Sequence, residues 1–518
     1  MNLRTALTRP ARYGALVAGA LPVLTFPGAG LAVLAWEALV PGLLLMRAAG
    51  TAREAAVRGW WFGAGFILTA MYWLIPSIGP ALPLLAVVVG VLQAPVGLAV
   101  WWLLHGELTL RRSAAATVVV PAVWVSAEFA RSWHALGGPW ALLGASQWEH
   151  PAVLGLASIG GVWLVSWALV AVNTALTVLV LARDRWLRLA AAATALAAVV
   201  SGPLAFAAQP APATRGSASV ALVQAGQTPD ERARLEANIR ITRRLSGSPV
   251  DLVVWGESST TADLDRDTAT LDRLTALSQS TGAPLLVGED ARKADGRISK
   301  DAVLVDSSGI VARYRKIRLV PFGEYIPLRP LLGWIAGVSA AAGENRAPGR
   351  SVHLLPVVGQ NGRPLPIGAL ICFESAFPDM SRTASRQGAE LIVYQSATST
   401  FQSTWAPAQH ASLGAIRAAE TGRPVVQTAL TGESVAYDAQ GRRLVHLTTG
   451  ESGAVTVRLS PADPAARTWY VRLGDWVPLS ALAVTAAAGA TVLLPRLRRR
   501  HRPGAPSEPS PGLPSARV

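Results

Sequence analysis

Long apolar runs and a stretch patterned like a soluble protein divide this chain between them. Runs near 13–29, 30–47, 59–78, 80–104, 114–131, 152–182 and 187–207, with a last one near 475–495, come close to or exceed the roughly 20 residues that a helix needs to cross a hydrocarbon core. Between 208 and 474 the pattern changes. Short apolar stretches rich in branched residues, at 219–224, 251–255, 284–288 and 391–394, alternate with stretches of helical period at 229–245 and 406–421. That alternation predicts an α/β domain, and its roughly 250 residues suffice to bury a core. The expected organisation is therefore an α-helical membrane domain of about seven transmembrane helices over 1–207 and an α/β domain over 217–465. A C-terminal transmembrane helix over 475–495 and a basic tail over 496–518 follow, the tail being Pro, Ser and Gly rich and expected to be disordered.

Composition supports the membrane reading, because 51% of the 518 residues are hydrophobic and only 15% are charged. A net charge of +15 could suggest a nucleic-acid partner. The arginines instead gather at 4–12, 47–58, 111–112, 183–188 and 496–502, beside the apolar runs, as cytoplasmic flanks of membrane spans do. No nucleic-acid partner is expected. The loops near 79 and 132–150 carry little positive charge, so every basic cluster falls on one side. Seven crossings then put 208–474 on the extracytoplasmic face of a bacterial cytoplasmic membrane, with both termini cytoplasmic. The first run follows Arg4, Arg9 and Arg12 like a signal peptide, but further runs stand directly behind it, and it is read as retained.

Cys372 is the single cysteine, which excludes an internal disulfide and a thiolate metal cluster. No metal-ligand spacing, Walker loop or dinucleotide fingerprint is present, and neither metal nor cofactor is expected. Cys372 ends an apolar stretch, Leu365-Pro-Ile-Gly-Ala-Leu-Ile-Cys-Phe-Glu374, where α/β folds expose nucleophiles. A free cysteine there is as often a small buried apolar residue. Its company decides what it can do, since an active thiol needs a base and a positive neighbour. Glu257 follows the apolar stretch 251–255 and could take the thiol proton. Lys316 could favour a thiolate or an oxyanion, and Glu324 could hold that lysine. Only three lysines occur, Lys293, Lys300 and Lys316, so each is slightly informative. His410 is given no role.

A Glu at a strand end, a Lys before Leu319-Val-Pro-Phe-Gly-Glu-Tyr325 and an Ile-Cys-aromatic-Glu motif, in that order, resemble the Glu-Lys-Cys triad of the nitrilase superfamily. With the flanking apolar runs, and with Trp124, Glu128, Arg131, Gly138-Pro-Trp140, Gly144, Gln147 and Asn173 in the membrane stretch, nearly the whole chain resembles the apolipoprotein N-acyltransferases. The resemblance implies an αββα sandwich for the extracytoplasmic domain. It implies that Glu257 is a general base, that Cys372 is a nucleophile attacking a membrane phospholipid, and that Lys316 stabilises the thiolate and oxyanion. The resulting thioester would pass its acyl chain to the α-amine of a diacylglyceryl-modified apolipoprotein. Glu324, Glu374 and Phe373 would support the site. Three positions depart from the family pattern: Gly256 where proline is common, Phe373 where tyrosine is, and Tyr394-Gln-Ser-Ala-Thr-Ser399 where an Asn-Asp-Ala-Trp-like stretch is usual.

Leu331, Leu332 and Trp334, in an apolar stretch behind Glu324, are candidate lipid contacts. Glu128 and Arg131, three apart near the outer end of a span, are either functional or a structural ion pair. A membrane-anchored amidase or nitrilase acting on a small amide would share the same three residues, but gains nothing from the preceding spans. A transporter or scaffold with an inactive domain would not need all three intact.

Overall fold

A computed structural model describes residues 3–209, 212–294, 296–321, 323–326 and 346–500. The lipid-contact candidates Leu331, Leu332 and Trp334 lie outside the described residues, as does the tail beyond 500.

Among the described residues four helices are long and apolar enough to cross a membrane: Ala81–Leu104, Leu110–Arg131, Ala157–Leu181 and Arg185–Ala208. A fifth crossing exists if Ala52–Ala70 and Tyr72–Ile78, bent by 57°, form one broken span. The two first apolar runs fold differently from the expectation of one helix each. The helix Leu3–Ala20 gives way to a 3-10 turn at Leu21–Thr25, and a second 3-10 turn at Ala32–Trp36 precedes the short helix Val40–Arg47. Gly28 and Gly30, at φ of 113° and 69°, turn the chain between them where a helix cannot continue. Apolarity records burial and does not record whether the buried backbone is helical.

Irregular backbone inside an apolar domain must find hydrogen-bond partners in the protein. Asn173, buried in the helix Ala157–Leu181, accepts from Leu39 N at 2.9 Å and donates to Ala35 O at 2.8 Å, while Gln147 donates to Ala32 O at 2.9 Å. These polar side chains hold the broken segment as a ladder partner would. The same helix breaks at Gly160 and Gly161, and there Glu420 of the α/β domain accepts the freed Val162 N–H at 2.8 Å. The two parts of the chain are thus bonded across a helix break.

The α/β domain contains two six-stranded sheets. The first has the order β12-β1-β2-β3-β4-β5, with β1 at Ala218–Gln224, β2 at Leu252–Trp255, β3 at Leu285–Arg292, β4 at Ile298–Asp306, β5 at Gly309–Arg315 and β12 at Gly453–Leu459. The second has the order β11-β10-β9-β8-β7-β6, with β6 at Leu355–Val358, β7 at Pro364–Ile371, β8 at Leu391–Ser396, β9 at Val425–Ala429, β10 at Ser434–Tyr437 and β11 at Arg443–Leu447. Each has a parallel centre, β1-β2-β3 and β7-β8-β9, flanked by antiparallel strands. Buried strands read as continuous apolar runs because both faces are covered. Leu252 and Val254 of β2 belong to the core that includes Ile367 and Ala369 of the second sheet, whereas Val253 and Trp255 belong to a separate core with Ile239, Leu274 and Leu277 of the helices Glu231–Arg243 and Thr268–Thr281. Helices outside and two sheets back to back make the expected αββα sandwich.

Candidate active site

Strands that run in one sense deliver their C-terminal ends to one edge, and the three residues singled out in the sequence stand just past such ends. Glu257 lies two residues after β2 and Cys372 directly after β7, both in parallel centres, and Lys316 lies directly after β5, which is antiparallel to β4 and so runs in the sense of β2. The fold brings them together. Lys316 Nζ lies 3.1 Å from Glu257 Oε1 and 2.9 Å from Glu324 Oε1, and all three side chains are buried. Glu324 also accepts from Val320 N at 2.8 Å, which closes the Leu319–Tyr325 loop around the lysine. Cys372 sits at φ of 50°, a conformation that costs a non-glycine residue of order 1–3 kcal/mol and that marks sharp strand-to-helix turns presenting a nucleophile.

The charges fix the resting protonation. Burial alone pushes the Glu257 carboxyl up, but the ammonium groups of Lys300 and Lys316 outweigh it and hold the group down at about 2. Burial, then the Glu257 charge, pushes the Cys372 thiol up to about 12 against the pull of Lys316. Lys316 would lose its proton to burial, yet Glu257 and Glu324 hold it charged well above the usual lysine range. The site at rest is therefore carboxylate, ammonium and neutral thiol. Such a set can accept a thiol proton as a carbon–sulfur bond forms and place a positive charge beside a developing oxyanion. It cannot accumulate free thiolate beforehand.

Glu374, expected as a supporting carboxylate, stands behind Cys372. Its Oε1 accepts from Ile317 N at 2.7 Å and Arg318 N at 3.0 Å, its Oε2 accepts from Ile371 N at 2.7 Å, and the Tyr314 hydroxyl donates to it at 2.9 Å. One buried side chain thus ties the backbone beside Lys316 to the backbone beside Cys372. Phe373 packs edge-on against Phe377, with ring centroids 5.1 Å apart.

Two of the unusual positions acquire a physical account. A Cβ on Gly256 would lie 2.0 Å from Leu430 N, so the close approach of that backbone leaves room for glycine and no side chain. Gln395 donates to Trp255 O at 2.8 Å and to Leu286 O at 3.0 Å, and Ser396 O accepts from Glu257 N at 3.1 Å. The end of β8 therefore pins the end of β2 from the opposite sheet.

Sequence reasoning passed over two buried neighbours. Lys300 of β4 makes an ion pair with Glu257 at 3.1 Å, and only the scarcity of lysine in this chain hinted at it. His410 places Nε2 3.0 Å from Cys372 O and 3.1 Å from Ser375 Oγ, and burial lowers its proton affinity and keeps it neutral. The membrane part closes over this side of the site. Trp140 stacks on His410 at 11° between planes and donates to Gln409 at 3.0 Å, and His134 bonds Leu319 O at 2.7 Å. Glu128 and Arg131, whose charges act on each other, both hold that loop: Arg131 donates to Trp140 O and, at 3.2 Å, to Ala141 O, while Glu128 accepts from Leu143 N at 2.7 Å. Among the described residues no group of His, Cys, Asp and Glu side chains is arranged to hold a metal ion.

A carboxylate, an ammonium and a strand-end thiol on an αββα sandwich define a domain of carbon–nitrogen hydrolase type, and residues 219–466 match the family described as Carbon-nitrogen hydrolase. Residues 18–175 match the Apolipoprotein N-acyltransferase N-terminal domain. The chain belongs to the apolipoprotein N-acyltransferase family. It is 30% identical over 501 residues to the apolipoprotein N-acyltransferase of Geobacter metallireducens, covering 91% of this chain and 94% of that one. The Azotobacter vinelandii protein of the same name is 31% identical over 96% of this chain and 98% of its own length. Among solved structures, yeast Nit3 aligns at 19% identity with a TM-score of 0.37, covering 49% of this chain and 93% of that one. The Helicobacter pylori carbon-nitrogen hydrolase aligns at 16% identity with a TM-score of 0.38, covering 51% and 95%.

Proposed function

We propose that this protein moves an acyl chain from a membrane phospholipid to the α-amine of the diacylglyceryl-modified N-terminal cysteine of apolipoproteins, by way of a thioester on Cys372. In this reading Glu257 takes the thiol proton as sulfur attacks the phospholipid ester, and Lys316 stabilises the oxyanion. As the carbon–oxygen bond breaks, Glu257 returns that proton to the departing lysophospholipid oxygen, leaving a thioester and a free carboxylate. The lipoprotein amine then attacks the thioester, Glu257 accepts its proton, and as the carbon–sulfur bond breaks Glu257 passes that proton to the Cys372 sulfur, so that the amide leaves a regenerated thiol. The observation that carries the reading is the contact of Lys316 with both Glu257 and Glu324 beside the strained turn at Cys372. Membership of the family selects a lipidated amine over water as the acceptor.

The placement of charge supports an extracytoplasmic site. Arg111 and Arg112 begin the helix Leu110–Arg131, Arg185 begins Arg185–Ala208, and Arg496, Arg498, Arg499 and Arg500 end Trp476–Arg500. The opposite ends of these helices adjoin the α/β domain, an arrangement that under the positive-inside rule supports the reading in which that domain is outside and the C-terminus cytoplasmic. On this reading 1–207 is the membrane domain, 217–465 the catalytic domain, 475–495 the last crossing and 496–518 a cytoplasmic tail. Leu331, Leu332 and Trp334 remain the proposed lipid contacts.

The test is N-acylation of a synthetic diacylglyceryl lipopeptide by the purified protein supplied with phospholipid. Wild type is expected to form the amide, and Cys372→Ala is expected to insert into membranes and form none. Full transfer by Cys372→Ala sinks the mechanism, and ammonia release from a small amide without lipopeptide acylation favours a hydrolase.

A further inference from the structure

Lys300, the third residue of β4, is 9% exposed and is surrounded by oxygen. Its Nζ donates to Ser258 Oγ at 2.8 Å and lies 3.1 Å from Glu257 Oε1, 3.2 Å from Asp290 Oδ2 and 3.8 Å from Glu324 Oε1. Lys316 reaches the same Glu257 oxygen at 3.1 Å, so two ammonium groups close on Oε1. Ser258, the residue after Glu257, is held at φ of 56°, and its hydroxyl also donates to Asp290 Oδ2 at 3.1 Å. A lysine that served the sheet alone would need only Asp290, which Arg346 already pairs. The strained Ser258 and the convergence on Oε1 instead direct this side chain at Glu257.

We propose that Lys300 is a positioning residue of the acyl-transfer site, clamping Oε1 of Glu257 so that Oε2 serves the thiol of Cys372, and supplying the cation that lets Glu257 and Glu324 stand ionised together around Lys316. The proposal rests on the reading of Glu257 as the base. Charge counting supports it: Glu257, Glu324 and Asp290 are matched by Lys300, Lys316 and Arg346. The groups that act on Glu257 are Lys300 from β4, Lys316 and Glu324 from beyond β5, Asp290 from β3, Cys372 from beyond β7 and His410 from the helix Ala406–Thr421. Lys300 and Lys316 are the two of these that lower its proton affinity. Without Lys300, three carboxylates would share two cations in a site shielded from water, and one carboxyl would retain a proton, because like charges that close cannot all ionise.

The experiment is the pH dependence of lipopeptide N-acylation by full-length enzyme in phospholipid–detergent micelles. Lys300→Met is expected to bring an acid limb of kcat into the range above about pH 5, where wild type stays level. At neutral pH it should lose about tenfold or more in kcat, with KM for the lipopeptide unchanged. Lys300→Arg keeps the charge but cannot seat one nitrogen among these oxygens. It is expected to leave the limb in place and lower kcat about fivefold. A Lys300→Met profile that overlays wild type overturns the proposal. Should that variant fail to fold, Lys300→Arg decides: wild-type kcat there overturns the positioning role. The acyl adduct on Cys372 is followed in parallel by mass spectrometry. If Glu257→Gln acylates Cys372 at the wild-type rate, it is the base reading that fails, an outcome distinct from either result at Lys300.

Discussion

Glu257 and Cys372 are displaced in opposite directions, one held ionised and the other held neutral, and that opposition sets the pH behaviour of the site. A depressed carboxyl keeps its base form above its own value and loses it only as pH falls through about 2. Activity is therefore expected to stay level from neutral pH down to about 5, where a carboxyl raised by burial would already have titrated. An acid limb with an apparent midpoint between about 5 and 7 contradicts this assignment. Glu257→Gln removes the acceptor while preserving shape, and a loss of about 100-fold to 10,000-fold in kcat is expected. Glu257, Lys316, Glu324 and Cys372 were legible in the sequence because each follows a strand or occupies a dense local motif. Lys300 was not, because Ser258 and Glu257, which give it its role, stand 42 and 43 positions away along the chain and come beside β4 only when β2 and β3 pair. His410 was hidden for a related reason: a helix shows its period in sequence, not which strand end it backs.

Strand ends must also be held in register, and Glu374 and Gln395 do so from opposite sides. Glu374 accepts backbone N–H groups from both Ile371 and Ile317, so in Glu374→Gln an amide nitrogen would face a donor on one side or the other. That variant is expected to lose about 1–3 kcal/mol of stability and, with it, most of the transfer activity, measured by thermal unfolding in micelles and by lipopeptide acylation. Unchanged stability would show that the tie is dispensable. Gly256→Ala is expected to be more damaging to activity than to insertion, because the displaced Leu430 N–H shares the Ser396 carbonyl with the N–H of Glu257. The α/β pattern was readable because both sheets have parallel centres with apolar strands and intervening helical periods. The irregular segment between Ala20 and Val40 was not, since its backbone is satisfied by Asn173 and Gln147 from elsewhere in the chain.

At the scale of the molecule, the membrane part completes the wall of the site as well as anchoring it. Trp140 lies on His410, which bonds the carbonyl of Cys372, and Arg131 and Glu128 fix the loop that carries Trp140. Trp140→Ala is expected to leave membrane insertion intact and to lower the rate of Cys372 acylation about tenfold, the scale of one buried aromatic contact of about 1.5 kcal/mol. An unaltered rate would show the two parts to be functionally separate. The covalent intermediate carries the whole account, and intact-protein mass spectrometry after incubation with a phospholipid of defined acyl composition tests it most directly. Wild type is predicted to gain one acyl mass, mapped to Cys372, and to lose it on addition of a diacylglyceryl lipopeptide as the amide appears. N-acylation of the lipopeptide with no acyl mass ever detectable on Cys372, or with the mass retained in Cys372→Ala, would contradict it.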